Sequence, residues 1–346
     1  MHQLKKSISL GLFSPLYLFY GEEDYLLEEM VRELSRAMLP EQNGWNLAIF
    51  DGDEAAVGDL LAAARTPVFG GGRRLIIVKN APWFAAGGKK KAGEDSEGLE
   101  VLAAFCQKPP GDLSIIFTVA GSVDKRRKLV KIIEKQGRAV YFPHLRQEEL
   151  LAWLNQRFRT GGKKAERAAL EYLVFAAGNS LHTLALEADK LCLYSQGQQI
   201  SLDDAQTLVS KGSQVVVFEL LEAVTARNAL KSQSLLDQLL LQGEAQQRIL
   251  ILLAREFHNL LLAQDMLSRG ESPGDLAAAL GLPPFVVRKI SAAARSFRRR
   301  DLITILELML AADAAQKTGS GKLSEQLPLL ILRICAMAAA PQGGRE

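Results

Sequence analysis

The sequence is poor in cysteine, and its few cysteines are not arranged to hold a metal ion or a disulfide framework. Cys106, Cys192 and Cys335 are the only three among 346 residues, and no C-x-x-C pair occurs. Structural zinc sites and disulfide-rich folds need cysteines in closely spaced sets. The four histidines are scattered as well, without an H-E-x-x-H motif. We therefore expect free thiols in a reducing cytosol and no metal site.

The sequence also lacks a long hydrophobic run. The apolar stretch from Leu327 to Ala340 contains Arg333 and falls short of the roughly 20 residues of a membrane-spanning helix. Near the N-terminus, Ile8 to Phe13 is too short and too interrupted for a signal peptide. The net charge of +3 is too small to indicate, by itself, binding to nucleic acid or to an anionic membrane. We expect a cytoplasmic protein with no membrane partner.

A phosphate-binding loop is missing after the first predicted strand. That strand ends at Gly21 and continues as Glu22-Glu23-Asp24, whereas such a loop requires G-x-x-x-x-G-K-[ST]. Three carboxylates suit the start of a helix, but they repel the phosphates of a nucleotide. The strand Leu75 to Val78 runs into Lys79-Asn80 and not into paired acids that would hold Mg²⁺. With no G-x-S-x-G motif either, we predict no catalytic residues, no cofactor and no ATP hydrolysis.

What the sequence does contain, up to residue 142, is an alternation of strands and helices. Five apolar runs predict strands: Leu16–Tyr20, Ala48–Phe50, Leu75–Val78, Leu113–Val119 and Ala139–Phe142. Four helical patterns lie between these strands: one begins at Tyr25, and the others are Leu60–Ala64, Leu99–Cys106 and Lys125–Lys135. Such alternation predicts an α/β domain at residues 1–142 with a mostly parallel, buried sheet.

From Pro143 onward the pattern predicts helices and no strand. A small helical domain at residues 143–211 would hold the helices Glu148–Arg157, Ala165–Ala176 and Leu181–Tyr194. Its fourth helix would start at Ser201 as N-cap, with Asp204 in the first turn. Residues 212–346 predict a bundle of about six helices that are apolar over more than one face. Because this bundle has few clusters of polar side chains that could form a catalytic site, we favour a role in subunit assembly over catalysis.

Two basic segments and one glycine-rich segment are candidates for contact with phosphate. The basic segments are Lys125 to Lys128, at the predicted start of a helix, and Arg298 to Arg300. Either could touch DNA phosphates, although charged helix ends are more often simply solvated. The segment Gly87–Gly98 carries three lysines among glycines and acids, and we favour a flexible surface loop there.

The segment Thr66–Val78 combines features that rarely occur together. Pro67 precedes the apolar pair Val68-Phe69, three glycines follow at Gly70–Gly72, and two arginines lead into the third strand. Proline and glycine around Phe69 predict a loop. The ring could fold back under its own domain, since single apolar residues in loops are common. Alternatively, it could be an anchor for the pocket of a partner.

The order of these parts resembles a known family, the delta subunits of the bacterial DNA polymerase III clamp loader. The resemblance covers nearly the whole chain and depends on the order and spacing of short segments. These segments are Leu16–Leu26, Pro67–Phe69 leading to Arg74–Val78, Asp124–Arg126, Trp153, Gly178-Asn179, Glu187–Leu191 with Tyr194, Val217–Leu220, Pro284–Lys289, Ala312-Asp313 and Lys317–Gly319.

The resemblance implies a three-domain architecture and a role in replication. It implies an AAA+-like parallel-sheet domain lacking a P-loop, a small helical lid domain and a C-terminal helical-bundle collar domain. Members bind the beta sliding clamp and open its ring, so that the ATP-driven loader can place the clamp on primed DNA. They assemble with gamma or tau and delta-prime subunits and hydrolyse no ATP themselves. The holoenzyme to which they belong is a DNA-directed DNA polymerase, a nucleotidyltransferase.

The resemblance also assigns residues. The clamp contact of the family is an apolar–phenylalanine pair before the third strand, which matches Val68 and Phe69, with valine where others carry leucine. His182 stands where ATP-binding relatives have a lid arginine, in agreement with a subunit that binds no nucleotide. We predict contacts to DNA phosphates from Lys125, Arg126 and Arg127. Two other functions stay open, a degenerate AAA+ ATPase and a DNA-binding adaptor in replication or repair.

Overall fold

A computed structural model describes residues 2–39, 44–85 and 96–337 of the chain. The chain divides into two compact units, Met1–Arg146 and Gln147–Glu346. The second predicted domain boundary, between residues 211 and 212, lies within the second unit, and the three-domain division stays a prediction. The α/β plus all-α fold class is confirmed, since the first unit contains the sheet and the second is almost entirely helical.

The first unit is built on five parallel strands, and all five predicted strands are present. Their bounds are β1 Leu16–Gly21, β2 Leu47–Asp51, β3 Arg74–Lys79, β4 Leu113–Ala120 and β5 Arg138–Phe142. They lie in the order β2-β3-β4-β1-β5, and each neighbouring pair is parallel. Because all five strands are parallel, they all begin at one side of the sheet, the amino edge, and all end at the opposite side, the carboxyl edge.

The helices of the first unit are α1 His2–Ser9, α2 Asp24–Met38, α3 Val57–Arg65, α4 Ser96–Gln107 and α5 Lys128–Gln136. Helix α1 was not predicted. Helix α5 begins three residues later than predicted, because the Asp124 carboxylate accepts a hydrogen bond from the Arg126 N–H, at 3.0 Å, and holds residues 125–127 in a turn. Most of the predicted loop Gly87–Gly98, including its lysines, lies outside the described residues, and its last three residues belong to α4.

The core of the first unit explains why its central strands are continuous apolar runs. Ile76 of β3 and both Ile115 and Phe117 of β4 are fully buried, because helices cover the sheet. At the end of β1, a side chain at Gly21 would place its Cβ only 2.1 Å from the carbonyl oxygen of Phe142. Glycine is therefore required there for close strand packing.

The first part of the second unit contains α6 Gln147–Thr160, α7 Arg167–Ala177, α8 Leu181–Tyr194 and α9 Leu202–Leu208. The prediction of no strand after Pro143 is wrong, since β6 Lys164–Ala165 pairs in parallel with β7 Gln199–Ile200. Helix α7 accordingly starts two residues later than predicted. The predicted N-cap of α9 is confirmed by a capping box, in which Ser201 Oγ accepts from the Asp204 N–H at 3.2 Å.

The rest of the unit is a bundle of seven described helices, where about six were predicted. They are α10 Ser213–Thr225, α11 Ala229–Leu241, α12 Gln246–Ser268, α13 Pro273–Leu280, α14 Pro284–Ala294, α15 Arg299–Thr318 and α16 Leu323–Met337. Helix α11 starts at Ala229, where the Asn228 side chain accepts a hydrogen bond from the Lys231 N–H at 3.0 Å and caps the helix. Along α12, Ile249, Leu253 and Phe257 are buried, as their spacing predicts.

Among the described residues, no single helix is long and apolar enough to cross a membrane. Helices α13 and α14 reach that length and apolar composition only when taken together, and their axes are bent by 105° at the break between them.

Candidate functional site

The loop before β3 presents its aromatic residue to solvent. Residues 66–73 form neither helix nor strand, as predicted, and the Phe69 side chain is 67% exposed. Val68 beside it is half-buried. The interpretation in which Phe69 folds back under its own domain is therefore wrong. Its role as an anchor for a partner stays a prediction.

A buried asparagine fixes the main chain of Phe69. The Asn46 side-chain amide donates to the Phe69 carbonyl oxygen at 2.8 Å, and its oxygen accepts from the Phe69 N–H at 2.9 Å. Asn46 is only 2% exposed, so these two bonds satisfy an amide that water scarcely reaches. The exposed ring is thus carried on a backbone that is held in place.

A second exposed aromatic ring lies beside the first. The rings of Trp45 and Phe69 have centroids 6.2 Å apart and planes inclined by 45°. Trp45 is 75% exposed, and its carbonyl oxygen accepts a hydrogen bond of 3.4 Å from the guanidinium of the buried Arg74. Trp45, Val68 and Phe69 form one surface, which we call the Phe69 surface, and the buried Asn46 holds the Phe69 main chain in it.

The sheet register explains why residues so distant in sequence meet there. Strands β2 and β3 are parallel neighbours, and Leu47 pairs with Leu75. The residues just before each strand therefore lie together at the amino edge of the sheet. Sequence reasoning missed Trp45 and Asn46. A tryptophan two residues before an edge strand was the available signal, but its position beside Phe69 follows only once the strand order is known.

The loop beyond Phe69 is free in the middle and fixed at its end. Gly70, Gly71 and Gly72 have φ values of 72°, 85° and 90°, a left-handed backbone that glycine adopts without strain. A Cβ at any of the three would meet nothing within 4 Å. Arg73 ends the loop, because its Nη1 donates to the Leu113 carbonyl at 3.0 Å. The glycines thus connect two fixed points.

At the opposite, carboxyl edge of the sheet, the acids after Gly21 bond to their own chain. The Glu23 N–H donates to the Phe142 carbonyl at 3.0 Å, and its carboxylate lies 3.3 Å from His144 Nδ1. Glu22 accepts a hydrogen bond of 2.8 Å from the Tyr141 hydroxyl, which raises the pKa of Tyr141. In the described part of the chain, no three His, Cys, Asp or Glu side chains are grouped to hold a metal ion.

The three basic residues predicted to contact DNA lie in the turn before α5, and they differ in their surroundings. Arg126 forms two hydrogen bonds to the Asp124 carboxylate, at 3.0 and 3.1 Å, which lower the pKa of Asp124 to about 2. Arg127 Nη1 donates to the Trp83 carbonyl at 2.6 Å. Lys125 is exposed and has no hydrogen-bond or ion-pair partner among the described residues. Because this turn follows β4, it lies at the carboxyl edge, away from the Phe69 surface.

The second basic run is largely paired with acids. Arg299 Nε lies 3.2 Å from an Asp265 oxygen, and Arg300 Nε lies 3.6 Å from an Asp301 oxygen. Exposed ion pairs of this kind are typical of a solvated surface.

Known proteins resemble this chain along most of its length. Models described as "DNA polymerase III, delta subunit" and "DNA polymerase III delta subunit, C-terminal domain" match residues 17–142 and 214–334. The DNA polymerase III subunit delta of Bacillus subtilis (strain 168) is 29% identical over 332 residues, 95% of each chain. A probable DNA polymerase III subunit delta of Aquifex aeolicus (strain VF5) is 24% identical over 311 residues, 87% of this chain and 86% of that one.

A solved structure agrees with these matches. The Bacillus subtilis DNA clamp loader delta protein superposes with a TM-score of 0.59 at 28% identity, and the match covers 97% of this chain and 99% of that one. The two family models fall within the two compact units of the fold. With relatives of the same description matching nearly end to end, the chain belongs to the family of DNA polymerase III delta subunits.

Proposed function

We propose that this protein binds the beta sliding clamp through Val68 and Phe69 and opens the clamp ring during clamp loading. Its family supports a role in DNA polymerase III clamp loading. The observation that carries the finer proposal is the 67% exposed ring of Phe69 on a backbone fixed by Asn46. A large apolar side chain held out in solvent has no function in its own core.

The physical basis is the burial of an aromatic anchor. Interface anchors in desolvated pockets contribute roughly 2 kcal/mol or more each. Because its main chain is already held, the ring loses little conformational freedom on binding, which favours affinity. Val68 adds a smaller apolar contact from its half-buried side chain.

The remaining parts of the proposal concern assembly. Residues 212–346 would form the collar that holds gamma or tau and delta-prime subunits, after a lid at residues 143–211. The match of residues 214–334 to the C-terminal domain of the delta-subunit family supports a separate domain there. Within the assembly, Lys125, Arg126 and Arg127 would approach primed DNA in the cytoplasm. The chain itself would catalyse nothing and need no cofactor.

Binding of the full chain to the purified beta clamp tests the anchor. For Val68→Ala/Phe69→Ala we expect Kd to rise by about 30-fold or more, which corresponds to roughly 2 kcal/mol. Tyr194→Ala is the matched control, because it removes a 53% exposed aromatic ring elsewhere and should bind as the parent does. A double variant that binds the clamp as tightly as the parent would refute the role of the loop.

Ring opening needs its own assay. Clamp preloaded on circular DNA should be released by the parent chain and not by the double variant. ATP turnover by the purified chain would instead favour the degenerate ATPase. Salt-dependent binding of the isolated chain to primed DNA would favour the DNA-binding adaptor.

A further inference from the structure

We infer that Trp45 is a second anchor for the beta sliding clamp and that Asn46 is the positioning residue for the first. This inference rests on the proposed function, because it concerns the same surface and the same partner. It adds that the clamp contact consists of two adjacent aromatic rings and is not limited to the loop before β3.

The exposure of the two rings argues against a purely structural pair. Trp45 is 75% exposed and Phe69 67%, although their centroids lie only 6.2 Å apart. In the same unit, Trp83 is 6% exposed, which is how a tryptophan that stabilises the core is placed. If Trp45 served only to cover Phe69, the Phe69 ring would be less exposed than it is. The pair therefore adds exposed apolar area to the surface.

The hydrogen bonds of Asn46 give this surface a fixed shape. One of its two amide N–H groups and its oxygen bond to the Phe69 main chain, and both bonds require that main chain to stay where it is. Losing the partner would leave a nearly buried amide unpaired, which is unfavourable. Since Asn46 directly follows Trp45, one dipeptide supplies the second ring and holds the first.

The charges around the rings favour a protein pocket over stacked nucleic-acid bases. Proteins that stack single-stranded bases combine aromatic rings with cations that follow the phosphates. Here the two neighbouring arginines bond to main-chain carbonyls, Arg73 to Leu113 and Arg74 to Trp45. The exposed Lys125 belongs to the carboxyl edge, and the exposed Arg65 ends α3, four residues before Phe69. The chemistry that matches the surface is an apolar cleft wide enough for two aromatic rings.

Clamp binding by four full-length variants tests the second anchor. For Trp45→Ala we expect Kd to rise by about 10-fold to 30-fold. Trp45→Phe keeps a ring and should stay within about threefold of the parent. Phe69→Ala reports on the proposed function, and Tyr194→Ala is again the control. Unfolding midpoints of all four should remain close to that of the parent, because the removed rings are mostly exposed.

The outcomes separate this inference from the proposed function. If Phe69→Ala weakens binding and Trp45→Ala does not, or strengthens it, the second anchor is refuted and the proposed function stands. If neither substitution changes Kd, both are refuted. A loss of affinity for single-stranded DNA in Trp45→Ala, with clamp binding intact, would also overturn the inference. Should Trp45→Ala fail to fold, Trp45→Leu removes the aromatic ring and keeps apolar volume, and it should weaken binding by a similar factor.

The test of Asn46 must distinguish positioning of Phe69 from a general loss of stability. For Asn46→Ala we expect about a tenfold rise in Kd in the parent and almost none in the Phe69→Ala background, because the amide acts through Phe69. Asn46→Asp keeps the acceptor for the Phe69 N–H but sets a buried carboxylate oxygen against the Phe69 carbonyl, so its Kd should rise at least as much as that of Asn46→Ala. Equal losses in both backgrounds would refute the positioning role.

Trp45 also supplies a spectroscopic reporter. Clamp binding should shift its emission to shorter wavelength as the 75% exposed indole becomes buried. Trp45→Phe retains every other tryptophan signal, including any from the clamp, and should lose this shift. A shift that is unchanged in Trp45→Phe would overturn the inference.

Discussion

Replacing Gly71 by alanine tests whether the loop conformation beside Phe69 is the one that binds the clamp. The φ of Gly71 is 85°, in the region that side chains rarely adopt. No atom lies within 4 Å of the position where a Cβ would stand, so the substitution creates no clash. Its cost is the left-handed backbone alone, about 1–2 kcal/mol. In the free chain the loop can relax into solvent, so this is an upper limit for the loss of stability.

In the complex the loop cannot relax without displacing Phe69. We therefore expect Kd of Gly71→Ala for the beta clamp to rise by about 5-fold to 30-fold. Titration calorimetry with the purified clamp measures this, and urea unfolding should show a smaller change. Gly58→Ala is the control, because Gly58 lies in α3 without a left-handed φ or a neighbour within 4 Å. It should bind as the parent does. An unchanged Kd for Gly71→Ala would refute the reasoning.

Three further predictions concern the scaffold. Gly21→Ala should destabilise the first unit by about 1–3 kcal/mol in urea unfolding, because its Cβ would lie 2.1 Å from the Phe142 carbonyl. An unchanged midpoint would contradict this. Ser201→Ala should cost about 1 kcal/mol through loss of the capping box, whereas Ser201→Thr keeps the hydroxyl that bonds to Asp204 and should retain most of that stability. The pKa of Asp124, lowered from 3.8 to about 2 by Arg126, means that the interaction stabilises the fold above pH 3.8 and is lost as pH falls through 2. A carboxyl NMR titration should give a midpoint near 2 that returns towards 3.8 in Arg126→Ala, and a parent midpoint of 3.8 would contradict the assignment.

The strands were predictable from the sequence because each is a compact apolar run bounded by turn residues. Their order was not, because the crossover connections that set it leave no local pattern. Helix α1 was missed for a different reason: it has only eight residues, too few for the pair Leu4 and Ile8 to stand out as a repeated helical spacing. Strands β6 and β7 have two residues each, which is too short for any alternation to be visible.

The candidate site shows the same limit. Proline and glycine around Phe69 predicted the loop, and the family resemblance predicted its partner. The contact with Asn46 spans 23 residues of sequence and exists because β2 and β3 are neighbours. Nothing in the local pattern of Trp45 distinguishes a second ring from an ordinary surface tryptophan. Only the tertiary structure shows that its ring lies beside that of Phe69.

The double hydrogen bond between Asn46 and Phe69 has a consequence for inhibitor design. A linear peptide of residues 66–73 would carry the ring of Phe69 but not the amide that holds its backbone. Such a peptide would have to order its three glycines on binding, which lowers its affinity relative to the folded chain. A useful mimic would join two segments, Trp45-Asn46 and the loop, in the register that β2 and β3 impose. A small scaffold with two parallel neighbouring strands would be the smallest frame that reproduces this contact.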